Sequence, residues 1–161
     1  MSGAPAEVVS RADLAAWAAR QRAAGRTIAF TNGCFDLLHR GHVESLADAA
    51  TTADVLLVAI NADAFVRALK GPGRPLTPEA DRAAVLAALR PVGAVTIFPE
   101  PTPLETILLV RPDVIVKGAE YAEEDIVGAR EVRGWGGRVV RVPMRAGRST
   151  SLLIERIKNA R

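Results

Sequence analysis

Cysteine, histidine and aromatic residues are scarce in this chain of 161 residues. Cys34 is its one cysteine, which excludes an intrachain disulfide framework and is typical of a reducing compartment. Aromatic residues make up 4% of the chain and do not alternate with clustered basic residues as in nucleic-acid-binding surfaces. No apolar run is long enough to span a bilayer, and residues 1–10 lack the features of a signal peptide. We therefore expect a cytoplasmic protein that binds neither membranes nor nucleic acids.

Apolar residues are abundant by comparison. Hydrophobic residues account for 49% of the chain and charged residues for 24%, which excludes a disordered chain. The length suits a single domain over residues 1–161, with residues 1–25 as an N-terminal helical extension. The net charge of +3 comes from scattered Lys and Arg side chains. Since such a balance suits small acidic ligands, phosphorylated small molecules are the expected partners.

Short apolar runs alternate with helix-like segments along the chain. Their near-continuous Val, Ile and Leu content is typical of strands buried on both faces of a parallel sheet. The predicted strands span residues 27–31, 55–60, 92–98, 113–117 and 138–142. The predicted helices span residues 11–24, 41–50, 78–89, 103–110, 123–135 and 149–158. This alternation predicts an α/β fold, a single Rossmann-like doubly wound parallel sheet of about five strands with flanking helices. Ligands of such sheets bind beyond the carboxyl ends of the strands.

The segment after the first predicted strand, NGCFDLLHRGH at residues 32–42, carries the strongest functional signal. Gly33 lets the backbone approach a ligand directly after a buried strand. The next helix is predicted to begin near Gly41, so its first N–H groups favour an anion. His39 and His42 are three residues apart and share one face of this helix start. Two imidazoles in this place are suited to hydrogen-bond phosphate oxygens and to stabilise the charge that develops in phosphoryl transfer.

His39 and His42 also admit other roles. Two histidines at this spacing could form half of a metal site, or one of them could be a hydrogen-bonded core residue. Metal ligation is disfavoured because the sequence contains no third histidine to complete a zinc site. The glycine-containing turn favours phosphate binding over a core position, so we predict a phosphate site and no metal ligands.

The same segment resembles the G-x-F-D-x-x-H-x-G-H signature of the cytidylyltransferase-like nucleotidyltransferases, and the likeness extends over nearly the whole chain after Arg26. Within that superfamily the chain is most similar to the heptose-1-phosphate adenylyltransferases of ADP-heptose synthesis. The pieces that carry this likeness, in chain order, are TNGCFDLLHRGHV at 31–43, AINAD at 59–63, LKGPGRP at 69–75, VKGAEY at 116–121 and GRSTSLLI at 147–154.

The resemblance implies direct attack of a sugar phosphate on the α-phosphorus of ATP, with pyrophosphate leaving and Mg²⁺ accompanying the nucleotide. It implies that no covalent enzyme intermediate forms, and a homodimer is usual among similar enzymes. It assigns catalytic roles to His39, His42, Lys70 and Lys117. It assigns nucleotide binding to Asn32, Gly33, Cys34, Phe35, Gly41, Gly118, Ser149, Thr150 and Ser151.

Several residues beside these motifs are candidates for either substrate binding or a structural role. Asp36 could cap the turn that follows it, and Asp63 could cap the next helix. Arg82 could reach the site or form a surface ion pair, and Arg148 stands where relatives often have an apolar or small residue. Cys34 is interpreted as a small side chain in a tight turn and not as a nucleophile. The candidates for substrate binding are Asp36, Asn61, Asp63, Arg74, Glu120 and Tyr121.

Two lysines in the matching pieces have competing interpretations. Residues 69–75 are not a Walker loop, since no G-K-[ST] follows their glycines. They form either a flexible surface loop or a lid that brings Lys70 to the phosphates, and the resemblance favours the lid. Lys117 closes a predicted buried strand, where a charge is either solvated or bound to a ligand, and the adjacent Gly118 favours a ligand.

The leading hypothesis is therefore an adenylyltransferase that joins AMP from ATP to heptose 1-phosphate, for lipopolysaccharide or other surface-glycan precursors. A cytidylyltransferase acting on glycerol 3-phosphate or a related alcohol phosphate is the nearest alternative. A catalytically silent nucleotide-binding subunit is a second one, against which the presence of both histidines and Lys117 argues.

Overall fold

A computed structural model of the chain describes residues 6–143 and 145–160, which form one six-stranded parallel sheet flanked by helices. The strands are β1 (Glu7–Val8), β2 (Ile28–Gly33), β3 (Val55–Asn61), β4 (Ala94–Phe98), β5 (Val114–Gly118) and β6 (Arg138–Val142). The helices are α1 (Leu14–Ala23), α2 (Arg40–Ala50), α3 (Asp63–Lys70), α4 (Glu79–Ala87), α5 (Leu104–Val110), α6 (Ala129–Gly134) and α7 (Thr150–Asn159). The predicted α/β class with a doubly wound parallel sheet is confirmed.

The order of the strands in the sheet is β1-β4-β3-β2-β5-β6. From β2 the chain first moves to one side through β3 and β4, and then returns to place β5 and β6 on the other side. The direction therefore reverses between β2 and β5, which pair in parallel. A doubly wound sheet binds ligands at the carboxyl ends of the strands beside this reversal, here at Gly33 and Gly118.

Helices cover both faces of the sheet. Side chains of α1, α5 and α6, among them Trp17 and Ile107, form one core cluster with inward-facing residues of the strands. Side chains of α2 and α4, among them Leu46 and Leu86, form the cluster on the opposite face. Burial on both faces explains why the strands consist of nearly continuous Val, Ile and Leu.

Three elements differ from the sequence prediction. The two-residue edge strand β1 and the helix α3 were not predicted, and α3 buries only one side chain, that of Val66. The single helix predicted over residues 123–135 is wrong, because the segment forms a 3-10 turn (Glu123–Asp125) followed by α6. Gly128 separates the two with a φ of +85°, and a Cβ there would lie 2.7 Å from Cδ1 of Ile107. Because Gly128 has a left-handed backbone conformation, the chain cannot continue through it as one helix, and α6 begins after it.

Within the described ranges, no helix has the length and apolar character needed to cross a membrane.

Candidate active site

A cleft opens at the carboxyl ends of β2 and β5, where the strand order reverses. Its floor is formed by the turn after β2 and by the end of β5, and one wall is formed by the first turns of α2. Most of the residues that the sequence assigns to the nucleotide meet here. The lining residues are Thr31, Asn32, Gly33, Cys34, Phe35, His42, Ser45, Leu46, Val116, Lys117, Gly118, Glu120, Tyr121 and Val142.

A second cleft adjoins the first, and the two share His42 and Ser45 as lining residues. It lies between the first turn of α2, the last residue of α3 and the first turn of α7. Its lining residues are His39, Gly41, His42, Ser45, Lys70, Arg145, Arg148, Ser149, Thr150 and Ser151. The site is therefore one groove with a partly apolar end and a cationic end, joined at His42.

The two histidines lie where these clefts meet. Their rings are stacked, with centroids 3.8 Å apart, and the ring of Phe35 packs against His42 at 5.1 Å. Gly41 makes this arrangement possible, because a Cβ at that position would lie 3.0 Å from the ring of His39. The glycine between the two histidines thus lets the His39 ring fold back over the start of α2.

One ring nitrogen of each histidine has no hydrogen-bond partner in the part of the protein that the structure describes. The Nδ1 atoms of His39 and His42 are buried and have no hydrogen-bond partner among residues 6–143 and 145–160. Buried polar atoms in native proteins are almost always hydrogen-bonded, so two unpartnered nitrogens in one groove are suited to bind a polar ligand.

The electrostatics of the groove also favour an anionic ligand. Burial, and then the positive charges of His39 and Lys70, lower the pKa of His42 to about 4. Burial, and then the charge of Arg148, lower the pKa of His39 as well. Burial lowers the pKa of Lys117 below its usual range, although Glu120 and Cys34 partly oppose this effect. Each cation in the groove would gain from a bound negative charge.

The cations differ in how far the protein already neutralises them. Arg145 pairs with Glu44 at 3.0 Å and lies 3.7 Å from Asp48. Lys70 and Arg148, by contrast, form no ion pair with any residue of the described ranges. These two side chains therefore supply the uncompensated positive charge of the second cleft.

The N-terminus of α7 closes this cleft. Ser149 is its N-cap, and its hydroxyl accepts a hydrogen bond from the Leu152 amide at 3.1 Å. The Thr150 hydroxyl donates to the carbonyl of Leu37 at 3.0 Å, which ties α7 to the loop before α2. The first amides of α7 are thereby held at the cationic end of the groove, where an anion is favoured.

Four candidate substrate residues line neither cleft: Asp36, Asn61, Asp63 and Arg74. Asp36 is 4% exposed and accepts hydrogen bonds from the amides of Leu76 and Thr77 and from Arg74. Burial raises the pKa of Asp36, but these hydrogen bonds outweigh it, so its pKa lies below its usual range. Its observed role is to hold the loop that follows α3.

Arg82 occupies a place that sequence reasoning did not anticipate. Its side chain is fully buried and donates hydrogen bonds to three backbone carbonyls and to Asp63. The alternative of a surface ion pair is therefore wrong. The sequence offers a weak signal for this burial, since Arg82, Ala83 and Leu86 share one face of α4.

Ser45 and Arg145 also line the groove and were not predicted. Ser45 was within reach of sequence reasoning, because it lies three residues after His42 and so on the same face of α2. Arg145 lies in a segment without regular structure, where no sequence periodicity indicates which way its side chain points.

Comparisons with known proteins identify the family of this chain. The family model described as cytidylyltransferase-like matches residues 30–156. A bifunctional protein HldE of Acidiphilium cryptum is 52% identical over 158 residues, which are 98% of this chain and 32% of that protein. Another, of Koribacter versatilis, is 53% identical over 153 residues, 95% of this chain and 32% of that protein. This chain thus spans about a third of the length of these relatives.

A solved structure shares the fold. The crystal structure of the lipopolysaccharide core biosynthesis protein from Thermoplasma volcanium GSS1 superposes with a TM-score of 0.62 at 25% sequence identity, covering 75% of this chain and 98% of that chain. The matched range contains both histidines, Lys70, Lys117 and the first turn of α7. The chain belongs to the cytidylyltransferase-like family and is a nucleotidyltransferase.

Proposed function

We propose that the chain transfers AMP from ATP to heptose 1-phosphate, giving ADP-heptose and pyrophosphate, for lipopolysaccharide or other surface-glycan precursors. The observation that carries this proposal is the stacked pair His39 and His42, whose Nδ1 atoms have no partner among the described residues and which lies where the cleft at the ends of β2 and β5 meets the cationic one. The choice of acceptor is supported by the five matching motifs, by the similarity to bifunctional HldE proteins and by the neighbour from lipopolysaccharide core biosynthesis.

In the proposed reaction an oxygen of the sugar phosphate attacks the α-phosphorus of ATP. The new oxygen–phosphorus bond forms as the bond from the α-phosphorus to the bridging β-oxygen breaks, and pyrophosphate carries away that electron pair. The nucleophile is already an anion, so no base has to remove a proton from it. The protein's task is to position the substrates and to neutralise charge.

The residues of the groove divide this task. His42, at the junction of the clefts, contacts the α-phosphate, and His39 supports it from the adjoining turn. Lys70, Arg148 and the first amides of α7 hold the β- and γ-phosphates, whose charge grows as pyrophosphate leaves. The backbone of the turn after β2 and the end of β5, with Lys117, hold the nucleoside side. Glu120 and Tyr121 line that end of the groove and remain candidate nucleotide contacts.

Mg²⁺ is proposed to enter as part of the substrate, bound to the phosphate oxygens of ATP. Among the described residues, no group of three or more His, Cys, Asp or Glu side chains could hold a metal ion, so the proposal assigns it no protein ligand. The ion would shield phosphate charge beside the cationic cleft. Full activity in excess chelator would contradict this part of the proposal.

The decisive experiment measures pyrophosphate release with each of the four nucleoside triphosphates against a panel of sugar and alcohol phosphates, with the His42→Ala variant as background. We expect turnover with ATP and heptose 1-phosphate, at least about tenfold faster than with CTP, a gap of about 1.4 kcal/mol. Equal or faster release with CTP and glycerol 3-phosphate would favour a cytidylyltransferase. Release no faster than background with every pair would favour a catalytically silent subunit.

A homodimer and a cytoplasmic location remain predictions.

A further inference from the structure

A buried arginine joins the nucleotide-binding turn to the helix that carries Lys70. The Arg82 guanidinium donates to the Cys34 carbonyl at 2.6 Å, the Asn61 carbonyl at 2.9 Å and the Asp63 carboxylate at 2.7 Å. Its Nε donates to the Thr77 carbonyl at 2.9 Å. One planar group thus connects the turn after β2, the end of β3, the start of α3 and the start of α4.

Helix α3 depends on these contacts, because few others fix it. Val66 is its buried residue, so packing holds only one side of the helix. Its N-terminus is held by two residues of α4: Glu79 accepts a hydrogen bond from the Asp63 amide at 2.6 Å, and Arg82 pairs with the Asp63 carboxylate. The opposite end of α3 is Lys70, which lines the cationic cleft.

The orientation of α3 at Asp63 therefore determines the position of Lys70 at its other end. Lys70 lies seven positions after Asp63, which corresponds to about 10 Å along the helix axis. A rotation of about 10° at the Asp63 end would move the lysine by roughly 2 Å, enough to remove a side chain from a productive position.

We propose that the Asp63–Arg82 ion pair is a positioning device for nucleotidyl transfer. It fixes the direction of α3 relative to the nucleotide-binding turn, and so places the Lys70 amine at the phosphates. Asp63 acts through Lys70 and does not itself contact substrate. This inference rests on the proposed function for the part that Lys70 takes in the reaction.

A double-mutant cycle tests the coupling. We expect Asp63→Ala to lower kcat by about tenfold while the KM for ATP stays within about twofold, because the ion pair serves the lysine and not ground-state binding. In a Lys70→Ala background the same change should lower kcat by less than about twofold, since the group that it positions is gone. The matched control is Asp81→Ala, which removes an exposed carboxylate beside Arg82 on α4. It should leave kcat unchanged in both the wild-type and the Lys70→Ala background.

An equal loss of kcat in the presence and absence of Lys70 would assign Asp63 a purely structural role and overturn the proposal, and so would no loss at all. If Asp63→Ala does not fold, Asp63→Asn keeps the shape, removes the charge and is judged by the same criterion.

A second readout does not depend on the reaction. Amide hydrogen exchange of residues 66–68 should be faster in Asp63→Ala than in the wild type and in Asp81→Ala, with α2 and α4 unchanged. If the wild type turns over no nucleotide, the proposed function fails, and this measurement still decides whether the ion pair holds α3. Unchanged exchange in α3 would refute the positioning role.

Discussion

The imidazole rings of His39 and His42 stack with their centroids 3.8 Å apart and their planes inclined by 23°. Two imidazolium ions would repel each other at this distance, and the lowered pKa values of both rings keep the pair neutral near pH 7. A neutral pair with unpartnered nitrogens is suited to donate hydrogen bonds to a phosphate. The turn that stacks the two rings therefore also prepares them to bind a phosphate.

Replacing either histidine by alanine should impair catalysis without unfolding the protein. We expect His39→Ala or His42→Ala to lower kcat by about a hundredfold or more, as for the loss of one transition-state donor. Steady-state pyrophosphate release measures the effect, and urea unfolding of the same samples is the control. Near wild-type turnover would refute the catalytic assignment, and an unfolded variant would indicate a structural role.

Acidification should destabilise the protein through His42. Its pKa falls from 6.5 in the unfolded chain to about 4 in the fold, so between these pH values the unfolded state binds more protons. The stabilisation is complete above about pH 6.5 and is lost as the pH falls towards 4. The shift sets an upper limit of about 3 kcal/mol, which solvent screening of this partly exposed ring reduces to about 1–2 kcal/mol.

Urea unfolding of the wild type and His42→Gln at pH 7, 6, 5 and 4.5 isolates this contribution. The free energy of unfolding of the variant should fall less steeply over this range. The pKa of Asp36 lies at lower pH, so Asp36 contributes equally to the two curves. His39 remains in both proteins and acts in the same direction as His42, so the variant should keep part of the pH dependence. Parallel curves would show that His42 does not titrate as described.

The predictable part of the fold was the part that hydrophobic pattern determines. The five main strands were located to within two residues at each end, because strands buried on both faces are nearly continuous in Val, Ile and Leu. β1 has only two residues and exists through its pairing with β4, which local sequence does not encode. Helix α3 has only eight residues and buries only Val66, so it was not distinguished by sequence from the loop that follows it. The break at Gly128 follows from contact with Ile107, a tertiary effect.

For the site, the residues in sequence motifs were predictable, whereas the roles of the residues that hold the surrounding segments in place were not. Spacing and strand ends indicated His39, His42 and Lys117, all of which line the groove. Arg82 was ambiguous, because its four acceptors come from three separate segments that only the folded chain brings together. Asp36 was ambiguous for the same reason, since its partners lie about forty residues further along the chain.

Asp36→Ala should separate a structural from a substrate-binding role for this carboxylate. The change removes the acceptor of the Leu76 and Thr77 amides and of the Arg74 side chain. We expect the free energy of unfolding to fall by about 2–4 kcal/mol. Urea unfolding measures this, with Asp81→Ala as the exposed control. A raised KM for the sugar phosphate with unchanged stability would instead indicate substrate binding.

The segment of residues 69–75 combines the end of α3 with a loop, and its two parts should respond differently to ligands. Leu69 and Lys70 end the helix, whereas Gly71 follows with a φ of +99° in open space. The loop is tied down again only where Asp36 holds Arg74. Exposed amides between two such anchors open easily, and ligand-gated segments come from the less stable parts of a fold.

We therefore expect the amides of residues 69–73 to exchange hydrogen quickly in the free protein and more slowly once ATP and the sugar phosphate are bound. Lys70→Ala should lower kcat more than it weakens ATP binding, because the lysine acts after the segment closes. Exchange is followed by mass spectrometry, and ATP affinity by calorimetry on the same variant. Arg67→Ala, which removes an exposed cation one turn earlier on α3, is the matched control and should be nearly silent. If both ligands leave exchange unchanged and Lys70→Ala has wild-type kinetics, the segment is a surface loop and not a lid.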